Sequence, residues 1–267
     1  QYDAKNYNNA AIGFRKYLGG YPEGKYQLNA LNFIAEMAYS MNQFDSAAVY
    51  FGKIANKAPN EFAERAAITA ARLSYFNLKD YTGAEQFFKI VLQYATQQEQ
   101  KNEAIKGLLR CQYKAENWVE ASKTAVLILA EKNSASDDIL MANMAMYHQT
   151  IAQQDTLNAL QILNTVLKSN SSIYTAEAHY LTALLYYYQQ KLNLAEKTAF
   201  DVIKKQASYE FWVTKTYILL GDIYLAQNDN FNAIATYKSI AENATIPALQ
   251  QIASDKLKAM NETIKAQ

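Results

Sequence analysis

The chain is poor in the residues from which most catalytic and metal sites are built. It has two histidines, His148 and His179, far apart and with no His-Glu-x-x-His run. A single cysteine, Cys111, excludes an internal disulfide and any paired-thiolate cluster. Eight glycines leave no glycine-rich phosphate loop, and three prolines leave long stretches free to stay helical. Twenty-six Lys and Arg against 25 Asp and Glu give a net charge of +1, too little to draw a polyanion, so nucleic acid is not an expected partner. No apolar run approaches the roughly 18 residues of a membrane span, and no membrane insertion is expected of this segment. With neither cofactor nor metal implied, the chain reads as non-enzymatic.

What is there is a ladder. Ala10, Ala47, Ala84, Ala121, Ala159, Ala195 and Ala233 recur at spacings of 37, 37, 37, 38, 36 and 38 residues. Four residues after them stand Phe14, Phe51, Phe88, Ala125, Leu163, Ala199 and Tyr237, and seven after them Tyr17, Ile54, Val91, Ile128, Val166, Val202 and Ile240. An i, i+4, i+7 spacing is one face of a helix. Three residues before the alanine comes Tyr7, Phe44, Tyr81, Trp118 or Leu192, preceded by polar pairs such as Asn42-Gln43, Lys79-Asp80 and Glu116-Asn117 that read as tight turns. A second periodic segment lies upstream of each turn, for example Leu31, Ile34, Ala35 and Ala38. Each unit is thus a helix pair, and a fixed period of this length means stacked pairs rather than one globular core.

The last unit runs Tyr217-x2-Leu220-Gly221-x2-Tyr224 and then Ala233-x3-Tyr237; the second closes Ala47-x3-Phe51 with Pro59. These residues resemble the tetratricopeptide repeat pattern, and the resemblance spans almost the whole chain. It implies an all-α, right-handed superhelical solenoid of antiparallel helix pairs: a half-unit over 1–20, units at about 25–59, 62–97, 101–133, 138–170, 174–206 and 210–244, and a capping helix over 247–267. The small residue the family places ahead of the turn is Ala35, Ala183 or Gly221 in three units but Arg72, Leu109 and Tyr147 in the others, where wider or shifted interfaces are expected. About three residues more than the usual 34 per unit predict longer helices or loops. Glycine-rich helical-pair repeats and RNA-reading pentatricopeptide repeats fit less well, for want of glycine and of basic charge. The wording of Gly221-Asp222-Ile223-Tyr224 and of Ala233 to Ile240 is similar to repeat proteins of Bacteroidetes, including envelope-associated members, and leans toward a bacterial periplasm or envelope.

In that family the first helices line a concave groove, so counting back from each alanine implies the side chains that would meet a partner. They are Asn29, Asn32, Glu36 and Tyr39; Thr69, Leu73 and Phe76; Glu103, Lys106, Arg110 and Tyr113; Met141, Met144 and His148; Glu177, Tyr180, Leu184 and Tyr187; and Lys215 and Asp222. The Lys106, Arg110 and Tyr113 patch carries two cations at i, i+4 beside an aromatic. It suits an acidic segment of a partner protein or peptide. Neutralisation by Glu103 would instead make it a solvated helix face, the commoner outcome for charges at this spacing. The Lys and Asn set with which the chaperone-binding subfamily grips a terminal carboxylate is absent: Asn29, Asn32 and Glu36, then Ala66, Thr69 and Leu73, stand there.

Twenty-one tyrosines, with Tyr186-Tyr187-Tyr188 beside Tyr180, admit a carbohydrate-binding or self-assembling alternative, although inter-helix packing is the commoner role for such residues. Tyr186 matches a buried family position, whereas Tyr187 is expected to look into the groove. His179 falls at a packing position, and Cys111 on a buried face. Ser134, Ser136 and Asp137-Asp138 read as a helix N-cap with first-turn charge. Gln1-Tyr2-Asp3 falls where a first helix would be closing, as though the chain were cut from something longer. Pro247 begins an amphipathic stretch with Leu249, Ile252, Ala253, Leu257, Met260 and Ile264, suited to cover the last apolar face.

Overall fold

The computed structural model describes residues 7–170 and 172–266, with side chains from 9 to 262 apart from 171. Gln1, Tyr2 and Asp3 lie outside them, as do the side chains of Tyr7 and Ile264. Among the described residues the chain is helix and turn throughout, and it resolves into two halves, Gln1–Ser134 and Ala135–Gln267. The first half holds α1 (Tyr7–Gly20), α2 (Gln27–Ser40), α3 (Phe44–Ala55), α4 (Ala63–Arg72) continuing into a π-helix (Leu73–Leu78), α5 (Tyr81–Tyr94), α6 (Gln98–Lys114) and α7 (Trp118–Ala130). The second holds α8 (Ser136–Ala152), α9 (Thr156–Val166), α10 (Ile173–Tyr188), α11 (Leu192–Lys205), α12 (Glu210–Ala226), α13 (Asn230–Asn243) and α14 (Pro247–Ala266). It is an all-α solenoid of helix pairs. The extra residues per unit go into the first helices, which reach 17 residues in α6, α8 and α12.

Every second helix begins three residues before its alanine, at Tyr7, Phe44, Tyr81, Trp118, Thr156, Leu192 and Asn230. All seven alanines are buried, six of them completely. A methyl group at this position lets the facing helix approach closely while keeping helix propensity high. The turn ahead is as regular: five residues before the alanine, Asn42, Lys79, Glu116, Gln154, Gln190 and Asn228 adopt the left-handed conformation, with φ between 53° and 63°. This closes the first helix as a Schellman motif, in which the next amide bonds five residues back, as in Gln43 to the Ala38 carbonyl (2.9 Å) and Asp229 to the Tyr224 carbonyl (2.9 Å). Asp80, Asn117, Asp155 and Asp229 then cap the following helix through a side-chain oxygen on the backbone N–H three residues on.

One turn is different. Asp80 N–H reaches back six residues, to the Ser74 carbonyl at 2.9 Å, because the π-helix Leu73–Leu78 carries one residue more than an α-helix would. The small residue therefore shifts from Arg72, which is exposed, to Ala71, which is fully buried. Leu109 and Tyr147 stay in their predicted places and are themselves buried.

Volumes complement one another across the pairs. At Gly221 a Cβ would come within 2.5 Å of the Tyr237 ring, and at Gly107 within 2.4 Å of the Phe88 ring. Glycine is needed there for close approach, since neither has a positive φ. At the end of the chain α14 packs on α13, burying Leu249, Ala253 and Met260 with Leu257 partly covered. Ile252, expected on the covered face, points outward at 43% exposure. Nor does the expected N-cap of α8 form. Ala135 occupies it without a side-chain bond, while the Ser134 hydroxyl donates to the Ile128 carbonyl (2.8 Å) at the end of α7. Asp137 and Asp138 do occupy the first turn, where Asp138 is buried.

Candidate functional site

In the first half the second helices α3 and α5 approach each other, and two adjoining clefts open beside the first helices. One, of about 240 Å³, is lined by Glu36 and Tyr39 of α2 and by Arg65, Thr69, Arg72, Leu73 and Phe76. The other, of about 480 Å³, is lined by Tyr75, Phe76, Phe88, Glu103, Lys106 and Arg110 among others. Phe76 belongs to both. It projects from the π-helix and is 57% exposed, an unusual position for a large ring. Eight residues predicted to meet a partner, Glu36, Tyr39, Thr69, Leu73, Phe76, Glu103, Lys106 and Arg110, are thus brought to two neighbouring walls.

Charged pairs run between these helices. Arg72 clasps Glu103 in a two-pronged bond, Nε to Oε1 at 2.6 Å and Nη2 to Oε2 at 2.7 Å. Glu103 thus reaches across to α4. Arg65 Nη2 stands 2.9 Å from Glu36 Oε1, an ion pair without hydrogen-bond alignment. Arg65 is mostly exposed, and such a pair contributes at most about 1 kcal/mol. Four cations, Arg65, Arg72, Lys106 and Arg110, thus line clefts whose carboxylates are Glu36, Glu99 and Glu103.

Other predicted positions lie elsewhere. Asn29 and Asn32 are half-buried on α2 and line neither cleft. Tyr113 sets its ring edge-on to Trp118, 5.2 Å away, and lines neither cleft. Leu73 touches the smaller cleft but, at 3% exposure, belongs to the core. Cys111 beside it is fully buried, and burial, with Glu85 and Asp80 adding, pushes its thiol up to about 12.

In the second half consecutive first helices pack together, α8 on α10, α10 on α12, and α12 on α14. Their predicted residues mostly pair with one another. His148 Nε2 lies 3.1 Å from Glu177 Oε1, with Glu177 buried. Asp222 Oδ1 accepts from the Tyr237 hydroxyl (2.5 Å) and from Lys256 Nζ of α14 (2.6 Å). Burial raises the Tyr187 hydroxyl, and the Asp222 charge nearby raises it further. Tyr186 and Tyr187 are half-buried, and Tyr188 is the exposed member of the trio. Tyr180 meets Trp212 at 5.5 Å and lies beneath Lys215. Met141 is half-buried and Met144 wholly buried. Packing therefore claims Met144, expected to face a partner, because α8 is covered on several sides: Leu140, Ala142, Ala145 and Tyr147 are buried as well. His179 packs as expected, with Nδ1 2.9 Å from the Thr175 carbonyl oxygen.

Sequence reasoning missed Arg65, Phe211, Trp212 and Lys256. Arg65 precedes Thr69 by four residues and Trp212 precedes Lys215 by three, so helical spacing alone could have found both. Lys256 sits on the capping helix, outside the repeat count.

Among the described residues no helix is long and apolar enough to cross a membrane. No family model matches the sequence, and no curated protein matches it significantly. Among solved structures, the chain is similar to a tetratricopeptide repeat protein from Parabacteroides merdae, with a TM-score of 0.50 and 14% identity over 97% of this chain and 93% of that one. Looser similarities are to a structure of Naa15/Naa10 bound to HypK-THB (TM-score 0.43, 13% identity, 98% of this chain and 44% of that one) and to BtubC from P. vanneervenii (0.29, 11%, 98% and 91%). At these identities the likeness is one of fold. The chain has a tetratricopeptide-repeat-like fold.

Proposed function

We propose that this tetratricopeptide-repeat-like solenoid is a non-enzymatic scaffold that docks a protein or peptide partner along the first helices of its N-terminal half. The observation that carries the proposal is Phe76, a mostly exposed ring shared by two adjoining clefts with Arg65, Arg72, Lys106 and Arg110 around it. An aromatic anchor supplies apolar area to bury, while the cations fix the direction of an acidic segment and speed its encounter. Arg72 is already engaged by Glu103, so it stiffens the wall between the clefts.

The saccharide alternative draws less support. The tyrosine-lined cleft between α12 and α13 offers Tyr217 and Tyr224 with Asn232, Thr236, Ser239 and Asn243. Thr236 and Asn243 donate to carbonyls of their own helix, and the Asn232 amide donates to Asp229, which leaves few groups turned outward to read sugar hydroxyls.

Affinity capture from a lysate, comparing the natural chain with a Phe76→Ala, Arg110→Glu variant of unchanged helicity, tests the docking surface. A protein held by the first and lost by the second, with Phe76→Ala alone weakening the isolated pair by about 2 kcal/mol, supports the proposal. Equal retention by both would move docking away from these clefts.

A further inference from the structure

Three helices of the N-terminal half border a cavity separate from the docking clefts. Its volume is about 530 Å³, the size of a small-molecule site. Side chains reach it at helical spacing: Arg15 and Leu18 from α1, Leu31 from α2, and Tyr50, Lys53 and Lys57 from α3 and the turn that ends it. The floor is apolar. Leu31 is 5% exposed, and Leu18 and Tyr50 pack against the same core. The rim is cationic: Arg15, Lys53 and Lys57 line it, and among the described residues no carboxylate does. Glu23 stands 3.5 Å from Lys57 but is largely exposed and forms no part of the wall. Lys53 lies over the Tyr50 ring, 5.1 Å from its centre, so its ammonium borders the apolar floor. In a chain with 26 Lys and Arg against 25 Asp and Glu, this is a local imbalance of charge. Balancing the carbonyls at a helix end accounts for Lys53, in the last turn of α3, but not for Arg15, which lies ahead of the last turn of α1.

We propose that this cavity binds an organic phosphate monoester, with the phosphate at Arg15, Lys53 and Lys57 and an apolar body over Leu18, Leu31 and Tyr50. It shares no residue with the docking clefts and does not depend on them. Charge selects the head. Glu23 offsets one of the three cations and leaves two, and a phosphate monoester carries about −1.5 to −2 at neutral pH. A carboxylate or a sulfate ester brings a single charge. Arg15 has the planar fork that grips two phosphate oxygens at once, while the lysines act as point charges. The floor selects the body. An alkyl or aryl substituent that covers it gains hydrophobic free energy that inorganic phosphate lacks.

Isothermal calorimetry on the full chain tests this with octyl phosphate below its micellar concentration, against octyl sulfate, inorganic phosphate and octyl glucoside. Octyl phosphate is expected to bind saturably at one site, about tenfold more tightly than octyl sulfate, which has the same body and less charge. Inorganic phosphate and octyl glucoside, each with half of the chemistry, are expected to bind more weakly still. Arg15→Gln, at an exposed position that does not threaten the fold, is expected to weaken octyl phosphate about tenfold, and Arg15→Lys to restore part of the loss. Lys132→Gln, exposed and outside the cavity wall, removes the same charge and is expected to change nothing. Phosphatidylcholine vesicles containing phosphatidic acid present the same head on a bilayer. Sedimentation of the chain with them, lost in Arg15→Gln, assigns the source to a membrane lipid; octyl phosphate binding without sedimentation assigns it to a soluble ester. No saturable heat with octyl phosphate, equal affinity for octyl glucoside, or equal weakening by Arg15→Gln and Lys132→Gln overturns the proposal.

Discussion

Six residues that are not glycine hold the left-handed conformation at the turns, and for Lys79, Glu116, Gln154 and Gln190 no short side chain eases the strain. Glycine there removes the Cβ clash with the following carbonyl, a gain of about 1 kcal/mol partly offset by a freer unfolded chain. Glu116→Gly is expected to raise the urea midpoint, with the slope unchanged. The opposite holds at Gly221. Its missing Cβ would sit 2.5 Å from the Tyr237 ring, itself 1% exposed and tied to Asp222, so the ring has nowhere to go. Gly221→Ala is expected to cost about 1–3 kcal/mol in the same melt. His179 supplies a third test. Burial, with Lys205 nearby adding, lowers its pKa below the usual 6.5 despite the Thr175 bond. The unfolded chain then binds the proton more readily, so stability from the neutral imidazole is complete above about pH 6.5 and is lost as pH falls through that value toward the folded pKa. Thermal melts from pH 7.5 to 5 are expected to show a decline in Tm that His179→Gln removes.

Elements were legible wherever one residue type carried a fixed task. The alanine ladder located the start of every second helix because a close crossing tolerates little but a methyl group there, and the polar pairs before it marked the left-handed turns. The π-helix was not legible. Leu73–Leu78 contains neither glycine nor proline, and the interval from Ala47 to Ala84 stays at 37, so the extra residue leaves no mark on the period. That surplus is why Arg72 lies outside the core and Ala71 inside it, and why counting back at α-helical spacing placed Leu73 among the partner-facing residues. It also gives an asymmetric deletion test. Removing the exposed Asn77 takes out the surplus residue and lets the helix close by the ordinary five-residue bond. Removing the exposed Lys114, at the same distance before the next N-cap, rotates the buried Leu109, Cys111 and Gln112 against a turn that has no residue to spare. The Asn77 deletion is expected to cost less than the Lys114 deletion by about 1 kcal/mol or more in urea melts.

A stack of helix pairs holds its apolar faces by covering each with the next, so its ends are where stability is decided. The cover at the C-terminal end is α14, which buries Leu249, Ala253 and Met260 against α13 and sends Lys256 to Asp222. Without it, Tyr237 and Ile240 would face water, and Asp222 would keep only the Tyr237 hydroxyl. Uncovering these side chains costs several kcal/mol at about 25 cal/mol per Å² of apolar area. That loss is comparable with what a single helix pair contributes, so the last pair should not survive it. A chain ending at residue 246 is expected to lose amide protection in α12 and α13, with protection in α2 to α5 unchanged, because coupling in such a stack passes only between neighbours. Hydrogen exchange followed by peptide mass analysis reads both regions in one experiment. Uniform loss along the whole chain would mean that the stack behaves as a single cooperative body. Loss confined to α12 and α13 would mean that the capping helix protects its own neighbours while the clefts around Phe76 rest on packing supplied from within the first half.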